Sequence, residues 1–378
     1  MTTTLLEATP RLRRGLLVSR PLTRGRATVF VVKDRANGKA YEVPAKEHFV
    51  LTRLDGERTL GDIGEEYAAA FGRRLAESHW ERLLWLLGTR GLLETRGAAV
   101  EAPAPAPTRA LALLDALARG IGAVLSRRVL LVGLAALAAV LVALLADLPA
   151  LLPAAREVLD RPALVVAVAL LLWASEALHE LAHGVAARHH GCTVTKVNVV
   201  LLRCVVEDYL YLPSRGAQVL IAGAGVVANV AFLVPFALVW FLAPGSPFVA
   251  AVLVGGVALT LLSLVPLPPW DGYKIVAHAT GTAALAVESQ RYAYGLVARI
   301  RDPRLRYPRG AALRLGTYAV VWFALVVLVV TAVVVVGGNL MAAVMGPAGR
   351  GVVIAVVVLV VAGWLAQPAL EKHRRSTP

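Results

Sequence analysis

The distribution of apolar and polar positions divides the chain into two parts. Residues 1–128 mix charged and apolar positions as a soluble domain does, whereas residues 129–378 are dominated by long apolar runs. Six of these runs approach the length of about 20 residues that a helix needs to cross a bilayer. We therefore predict a mainly α, polytopic α-helical membrane protein with about six transmembrane helices. The predicted spans are 129–150, 162–187, 217–243, 247–266, 314–337 and 350–367.

The soluble part has the periodicities of a small α+β domain. Alternating apolar positions predict strands at 28–32 and 40–43, and the Asn37-Gly38 step between them is a hairpin signal. Helical periodicity follows these strands, and Thr59 is the expected cap of the second helix. The three predicted helices span 44–54, 59–71 and 75–90.

These patterns predict five consecutive segments. The EAPAPAP run at 101–107 has the extended composition of a linker, so it separates the soluble domain from the membrane part. The segments are an N-terminal arm (1–27), an α+β domain (28–97), a Pro/Ala linker with an interfacial helix (98–128), a transmembrane domain (129–367) and a basic cytosolic tail (368–378).

Composition excludes several classes of protein. With 58% hydrophobic and 17% charged residues and a mean hydropathy of +0.67, the chain is not an ordinary soluble or disordered protein. Its two cysteines, Cys192 and Cys204, cannot form a disulfide framework. The net charge of the chain is +14. Beside membrane spans, such an excess of Lys and Arg is typical of proteins whose cytosolic loops face anionic lipid. Nucleic acid is disfavoured as a partner because the basic residues are scattered over 28–97.

The positive charges also predict an orientation in the membrane. If the N-terminal domain is cytosolic, the outside loops hold only Arg156, Arg161 and Arg350 of the 18 Lys and Arg residues in 129–378. This asymmetry follows the positive-inside rule. We therefore expect a multi-pass protein of the cell (plasma) membrane, with both termini in the cytosol and membrane lipid as a partner.

The second predicted span carries ionisable residues that are costly in a membrane helix. In EALHELAH (176–183), His179 and His183 lie one helical turn apart on one face and can share a metal ion. Glu180 can reach a water molecule on that ion. This HExxH pattern predicts two zinc ligands and a general base, with one Zn²⁺ per chain. The alternative is that both histidines only hydrogen-bond to neighbouring helices.

A catalytic zinc ion takes three protein ligands and keeps one position open. The best candidate for the third ligand is Asp271 in SLVPLPPWDGYK (263–274), because the second and fourth spans both end on the cytosolic side. An Asp-Gly turn at the membrane surface is the alternative. Glu176 shares the face of His179, and it either orients an imidazole from outside the ligand set or packs as a neutral acid. It is the next candidate for the third ligand.

These motifs resemble the site-2 protease family of intramembrane zinc metalloproteases. The resemblance rests on HELAH in a membrane helix and on the later proline-rich segment that ends in Asp-Gly, and it covers roughly residues 160–280. The β-prone segment 193–206 lies where family members carry a membrane-associated β element. The family implies that Asp271 is a zinc ligand and that substrates are cut near the membrane.

A further family motif, GxxxN/S/G, matches Gly225-Val-Val-Ala-Asn229 on the third span. It implies that Asn229 and Gly225 lie at the substrate or at the oxyanion. Relatives usually have an asparagine in the stretch before Asp-Gly, where this chain has Ser263 and Val265.

The soluble domain is similar to the PqqD-like peptide-binding domains, which are winged-helix modules. The similarity consists of the hairpin, the phrase LTRLDGERTLGDIGEEY (51–67) and a helix that ends in GTRGLLE (88–94). It implies that the domain binds the leader of a ribosomally made peptide by adding its strand to a sheet edge. The DGY sequence at Asp271 fits the peptide zinc metalloprotease branch. A DNA-binding winged helix is the alternative.

The sequence therefore predicts a membrane-embedded zinc endopeptidase that hydrolyses a peptide or membrane-protein substrate and matures a peptide bound by its N-terminal domain. Two other classes stay open. One is a catalytically inactive homologue that acts as a peptide-binding or maturation partner. The other is a membrane di-iron oxidase, because His189-His190 after HELAH are similar to the histidine boxes of membrane desaturases and hydroxylases.

Overall fold

The computed structural model describes residues 5–35, 37–94, 109–124, 127–198, 200–299 and 307–359. The chain divides into two compact units, residues 1–285 and residues 286–378. The first unit contains both the N-terminal domain and the HELAH helix. The predicted linker at 101–107 and the basic tail at 368–378 lie outside the described residues.

A four-stranded antiparallel sheet forms the base of the N-terminal domain. Strand β4 (Ala40–Pro44) pairs along one side of the long β3 (Ala27–Asp34). Strands β1 (Leu16–Val18) and β2 (Leu22–Arg24) pair with opposite ends of β3 on its other side. The predicted strands at 28–32 and 40–43 are therefore confirmed.

The expected N-terminal arm is different in the structure. Residues Leu5–Glu7 form a 3-10 turn, and β1 and β2 belong to the sheet, so residues 5–27 fold with the domain that we placed at 28–97. The reason is physical: each of these strands has three residues, which is too short for an alternation of apolar and polar positions to be recognised.

Three helices cover the sheet, namely α1 (Ala45–Leu51), α2 (Leu60–Phe71) and α3 (Glu77–Thr89). Thr59 caps α2 as predicted, because its side chain accepts the Asp62 N–H while the Asp62 side chain accepts the Thr59 N–H. The core of the domain is closed by Leu60, Ile63 and Trp80, each at most 1% exposed.

The rest of the first unit is largely helical. A two-stranded hairpin of β5 (Val194–Asn198) and β6 (Arg203–Val206) lies between two long helices, as the β-prone segment 193–206 predicts. The helices are α4 (Arg109–Val124), α5 (Arg127–Ala146), α6 (Leu148–Arg156), α7 (Pro162–His189), α8 (Arg215–Leu242), α9 (Pro247–Ser263) and α10 (Asp271–Thr280).

Helix α4 lies in the segment where we expected an interfacial helix, and it has apolar residues on two faces. Leu114 and Ala118 are buried, whereas Leu113, Leu117 and Ile121 are exposed on another face. The guanidinium of Arg188 on α7 donates two hydrogen bonds to the Asp115 carboxylate, at 2.5 and 2.8 Å. Arg188 also holds the pKa of the Asp115 carboxyl below its usual range.

The described part of the second unit contains α11 (Leu285–Arg299), which begins at the boundary, α12 (Arg309–Ala332), a π-helical turn (Val333–Gly337) and α13 (Gly338–Met345). A further apolar helix spans Ala348–Leu359.

Four helices in the described part of the chain are long and apolar enough to cross a membrane: α5, α7, α8, and α12 with its π-helical end. The mainly α class is confirmed. The other two predicted spans correspond to shorter apolar helices, α9 and Ala348–Leu359. Helix α9 has 17 residues, about 26 Å of helix. The second half of the sixth predicted span lies outside the described residues.

Candidate metal centre

Helix α7 places His179 and His183 on one face, as the HExxH spacing predicts. Their ring centroids are 4.9 Å apart, and the Nε2 atoms approach to 3.2 Å. The side chains are 6% and 12% exposed. Helix α7 ends six residues after His183, and Gly191 follows in the left-handed conformation with φ of 76°. Both imidazoles therefore lie in the C-terminal half of the helix.

Asp271 meets both histidines from the start of α10. Its Oδ2 lies 2.8 Å from His179 Nε2 and 3.0 Å from His183 Nε2, and its side chain is 7% exposed. The prolines that precede it exclude a regular helix there, so α10 starts only at Asp271. Gly272 is required at this start, because a Cβ would lie 2.8 Å from Val265 C and closer still to the Leu264 carbonyl.

The hydrogen-bond partners around this cluster require protons or a metal ion among its acceptor atoms. His183 Nδ1 lies 2.7 Å from the carbonyl oxygen of Ile221. That oxygen can only accept, so Nδ1 carries a proton, and Nε2 faces Asp271 either as a lone pair or as a second N–H. A carboxylate oxygen and two ring nitrogens thus converge in a buried space. Such a set of acceptors is stable only with protons or a metal ion among them.

The three ligand atoms fit a zinc ion. Imidazole nitrogen and carboxylate oxygen are zinc ligands, and ligands at 2.0–2.2 Å around a tetrahedral ion lie roughly 3.3–3.6 Å apart. The observed separations of 2.8, 3.0 and 3.2 Å are within about 0.5 Å of these edges. The Ile221 carbonyl fixes the His183 ring as carbonyls do for histidine ligands elsewhere. His179 Nδ1 is buried and has no hydrogen-bond partner among the described residues.

Glu180 points to the hairpin that follows α7. Its Oε2 accepts a hydrogen bond of 2.8 Å from the backbone N–H of Cys204 on β6. The hairpin can come this close because Gly184 faces it, and a Cβ at that position would lie 2.9 Å from Cys204 Sγ. Glu180 is therefore held in a defined position, one residue after His179 on the same helix.

Lys274 is a residue of the site that our reading of the sequence missed. Its ammonium donates a hydrogen bond of 2.7 Å to Asp271 Oδ1, which leaves Oδ2 for the two histidines. Burial alone would lower the pKa of Lys274, but the Asp271 carboxylate outweighs burial and raises it. The only available signal was the spacing of three residues between an acid and a base on one helix face.

Gly225, Asn229 and Glu176, the other three residues predicted for the site, each have defined neighbours in the structure. Gly225 faces His179, since a Cβ there would lie 2.5 Å from Cε1 and Cδ2 of the ring. Asn229 is buried, and its amide donates to Glu176 Oε1 at 3.1 Å while its oxygen accepts from Ser175 at 3.2 Å. Asn229 and Glu176 are thus bonded to each other, and Glu176 makes no hydrogen bond to the His179 ring.

The other histidines and the cysteines in the described part of the chain do not join this cluster. Within the described residues, His179, His183 and Asp271 form the one group of three or more metal-ligand side chains. His189 and His190 lie beside each other beyond it, with ring centroids 5.0 Å apart. Both cysteines are free thiols.

Comparison with protein-family models, with curated proteins and with solved structures gives no significant match for this chain.

Proposed function

We propose that this chain is a membrane-embedded zinc endopeptidase. The observation that carries the proposal is the convergence of His179 Nε2, His183 Nε2 and Asp271 Oδ2 on one buried point, beside a carboxylate from the same HExxH turn. Three protein ligands with one open position are typical of catalytic zinc, whereas structural zinc sites usually have four.

Each residue has a separate task in the proposed reaction. When bound, zinc supplies the Lewis acidity that lowers the pKa of water to about 7 and polarises a peptide carbonyl. Glu180 takes the proton of the attacking water and passes it to the leaving amine nitrogen. The Cys204 N–H holds Glu180, and Lys274 holds Asp271, so neither carboxylate has to be ordered during the reaction.

The contacts of the N-terminal domain support the proposed orientation. This domain bonds to Glu207, Asp208 and Pro213, which follow the C-terminal end of α7, and to Gly281, which follows α10. The charge asymmetry of the sequence favours a cytosolic position for all of these segments. We therefore propose a plasma-membrane protein whose N-terminal domain is cytosolic and receives a peptide substrate or its leader.

Metal analysis of the detergent-purified full-length chain tests the proposal. We expect about one zinc per chain in the wild type and in Glu180→Gln, and loss of zinc in His179→Ala and Asp271→Ala. Glu180→Gln should cleave fluorescein-labelled casein, an unfolded substrate, about 10²- to 10⁴-fold more slowly than the wild type does. Its amide oxygen still accepts from Cys204, so the variant isolates the loss of the base.

Other results would contradict specific parts of the proposal. Zinc retained by Asp271→Ala would remove Asp271 from the ligand set. Equal casein cleavage by Glu180→Gln and the wild type would remove the general base. Zinc without cleavage in the wild type would favour the inactive peptide-binding homologue, and two irons per chain would favour the oxidase.

A further inference from the structure

The N-terminal domain is bonded to the same helix that supplies the third ligand. Thr23 on β2 donates its N–H to the Gly281 carbonyl at 2.8 Å, and its own carbonyl accepts the Ala283 N–H at 2.9 Å. These bonds make a parallel bridge between Thr23 and Thr282, directly after the last residue of α10. The outer edge of β2 is thus paired with the chain that leaves α10.

This pairing is independent of the pairing of β2 within its own sheet. Thr23 uses its N–H and its carbonyl towards residues 281–283, while β2 pairs with β3 on the other edge in the register Leu22↔Val29 and Arg24↔Ala27. A change to the Thr23 amide therefore acts on the contact with α10 and spares the ladder with β3.

A second contact reaches the last turn of α10, where His278 lies. Lys33 on β3 donates to Glu207 Oε2 at 2.6 Å and to Asp208 Oδ1 at 2.8 Å, and its side chain is 12% exposed. The next residue, Tyr209, packs edge-on against His278 of α10 with ring centroids 4.9 Å apart. Lys33 therefore holds the corner from which Tyr209 contacts α10.

Helix α10 connects these contacts to the metal site. It has 10 residues, about 15 Å of helix, with Asp271 at its first turn and Gly281 as its C-cap. The Arg215 side chain lies against Gly281 and donates to the Pro21 carbonyl at 3.4 Å, which adds a third contact at the same end. A helix this short moves as one body, so a shift at Gly281 also shifts Asp271.

We propose that the N-terminal domain is a positioning element of the metal centre, in which Thr23 and Lys33 set the place of Asp271 through α10. The inference rests on the zinc site proposed above. Metal–ligand distances are held within about 0.2 Å, so a small displacement of α10 weakens the site. Residues that support ligands from outside typically change metal affinity 10- to 100-fold.

Thr23→Pro and its control Thr23→Ala test the first contact in the full-length chain. Proline removes the N–H that Gly281 accepts, whereas alanine keeps the backbone and removes only the side chain. We expect zinc affinity, measured by competition with a chelator, to fall about 10-fold or more in Thr23→Pro and to stay unchanged in Thr23→Ala. Hydrogen exchange should show faster amide exchange in 271–283 and unchanged exchange in α2.

Lys33→Met and its control Lys33→Arg test the second contact. They also test the inference if fast hydrogen exchange in α2 shows that Thr23→Pro unfolds the N-terminal domain. Methionine keeps the bulk and removes the charge, while arginine retains the ion pairs. We expect weaker zinc binding in Lys33→Met and recovery in Lys33→Arg. Wild-type zinc affinity in Lys33→Met, and in a folded Thr23→Pro, would overturn the inference and leave the proposed function intact. If the wild type cleaves no casein but these variants still bind zinc more weakly, the proposed function is contradicted and the inference about the N-terminal domain stands.

Discussion

Replacing Gly225 by alanine should disable the proposed metal centre without changing any of its three proposed ligands. Gly225 lies on α8 against the His179 ring, and a Cβ there would be 2.5 Å from Cε1 and Cδ2. Ordinary carbon contacts are 3.4–4 Å. The ring, or helix α7 as a whole, must therefore move by about 1 Å, several times the tolerance of about 0.2 Å on a metal–ligand distance.

The expected loss in zinc affinity is at least about 100-fold, the upper range for changes outside the ligand set, because a ligand itself is displaced. Gly223→Ala is the matched control on the same helix. Its Cβ would meet only Ile275 Cδ1, at an ordinary 3.6 Å. Both substitutions add the same methyl group and gain helix propensity of about 1 kcal/mol, so the difference between them isolates the clash with His179.

The assay is zinc competition against a chromophoric chelator with detergent-purified protein, accompanied by thermal unfolding of the metal-free form. Gly223→Ala should bind zinc as the wild type does. If Gly225→Ala binds zinc within twofold of Gly223→Ala, the His179 ring is not where the structure places it, and the assignment of this nitrogen as a ligand fails.

Two further predictions concern single side chains. Lys274→Met should weaken zinc binding about 10- to 100-fold in the same competition assay, because Asp271 Oδ1 loses its donor. The control Lys274→Arg should retain most of the zinc affinity. Equal zinc binding by both variants and the wild type would remove Lys274 from the site. Burial raises the pKa of the Cys192 and Cys204 thiols to about 11, so at pH 7 only about one thiol in 10⁴ is a thiolate. The rate of alkylation by iodoacetamide, followed by mass spectrometry, should therefore be low in the folded protein at pH 7 and should rise about tenfold per pH unit towards pH 11. After unfolding in SDS, alkylation should be fast. Rapid alkylation of the folded protein at pH 7 would contradict the burial of these thiols.

Local patterns predicted the parts of the site that depend on one element. His179 and His183 meet because a helix brings residues four apart onto one face, and Thr59 caps α2 because its hydroxyl reaches a free N–H. Asp271 required one additional step, the direction of the spans. For His179, His183 and Thr59, a short stretch of sequence and one geometric rule were sufficient.

Contacts between distant segments were not predictable in this way. Strand β2 pairs with residues 281–283, far along the chain, and nothing in its three residues indicates that partner. The spacing of Gly225 and Asn229 placed both on one face of α8, but not the hydrogen bond from Asn229 to Glu176. Such partners depend on how helices rotate against each other, which one sequence leaves open.

Glycine residues determine the geometry of the proposed metal centre as much as its polar side chains do. Three glycines lie where a second element approaches a residue of the site or the start of its helix: Gly184 opposite Cys204, Gly225 opposite His179, and Gly272 against the Leu264 carbonyl. Each allows an approach that a Cβ would block. Gly184 and Gly225 set the distances from α7 to β6 and to α8, and Gly272 sets the distance from the end of α9 to the start of α10. Polar groups buried at membrane depth need partners within hydrogen-bond distance. The glycines make that distance possible, so the proposed function depends on the HExxH residues and on these small residues together.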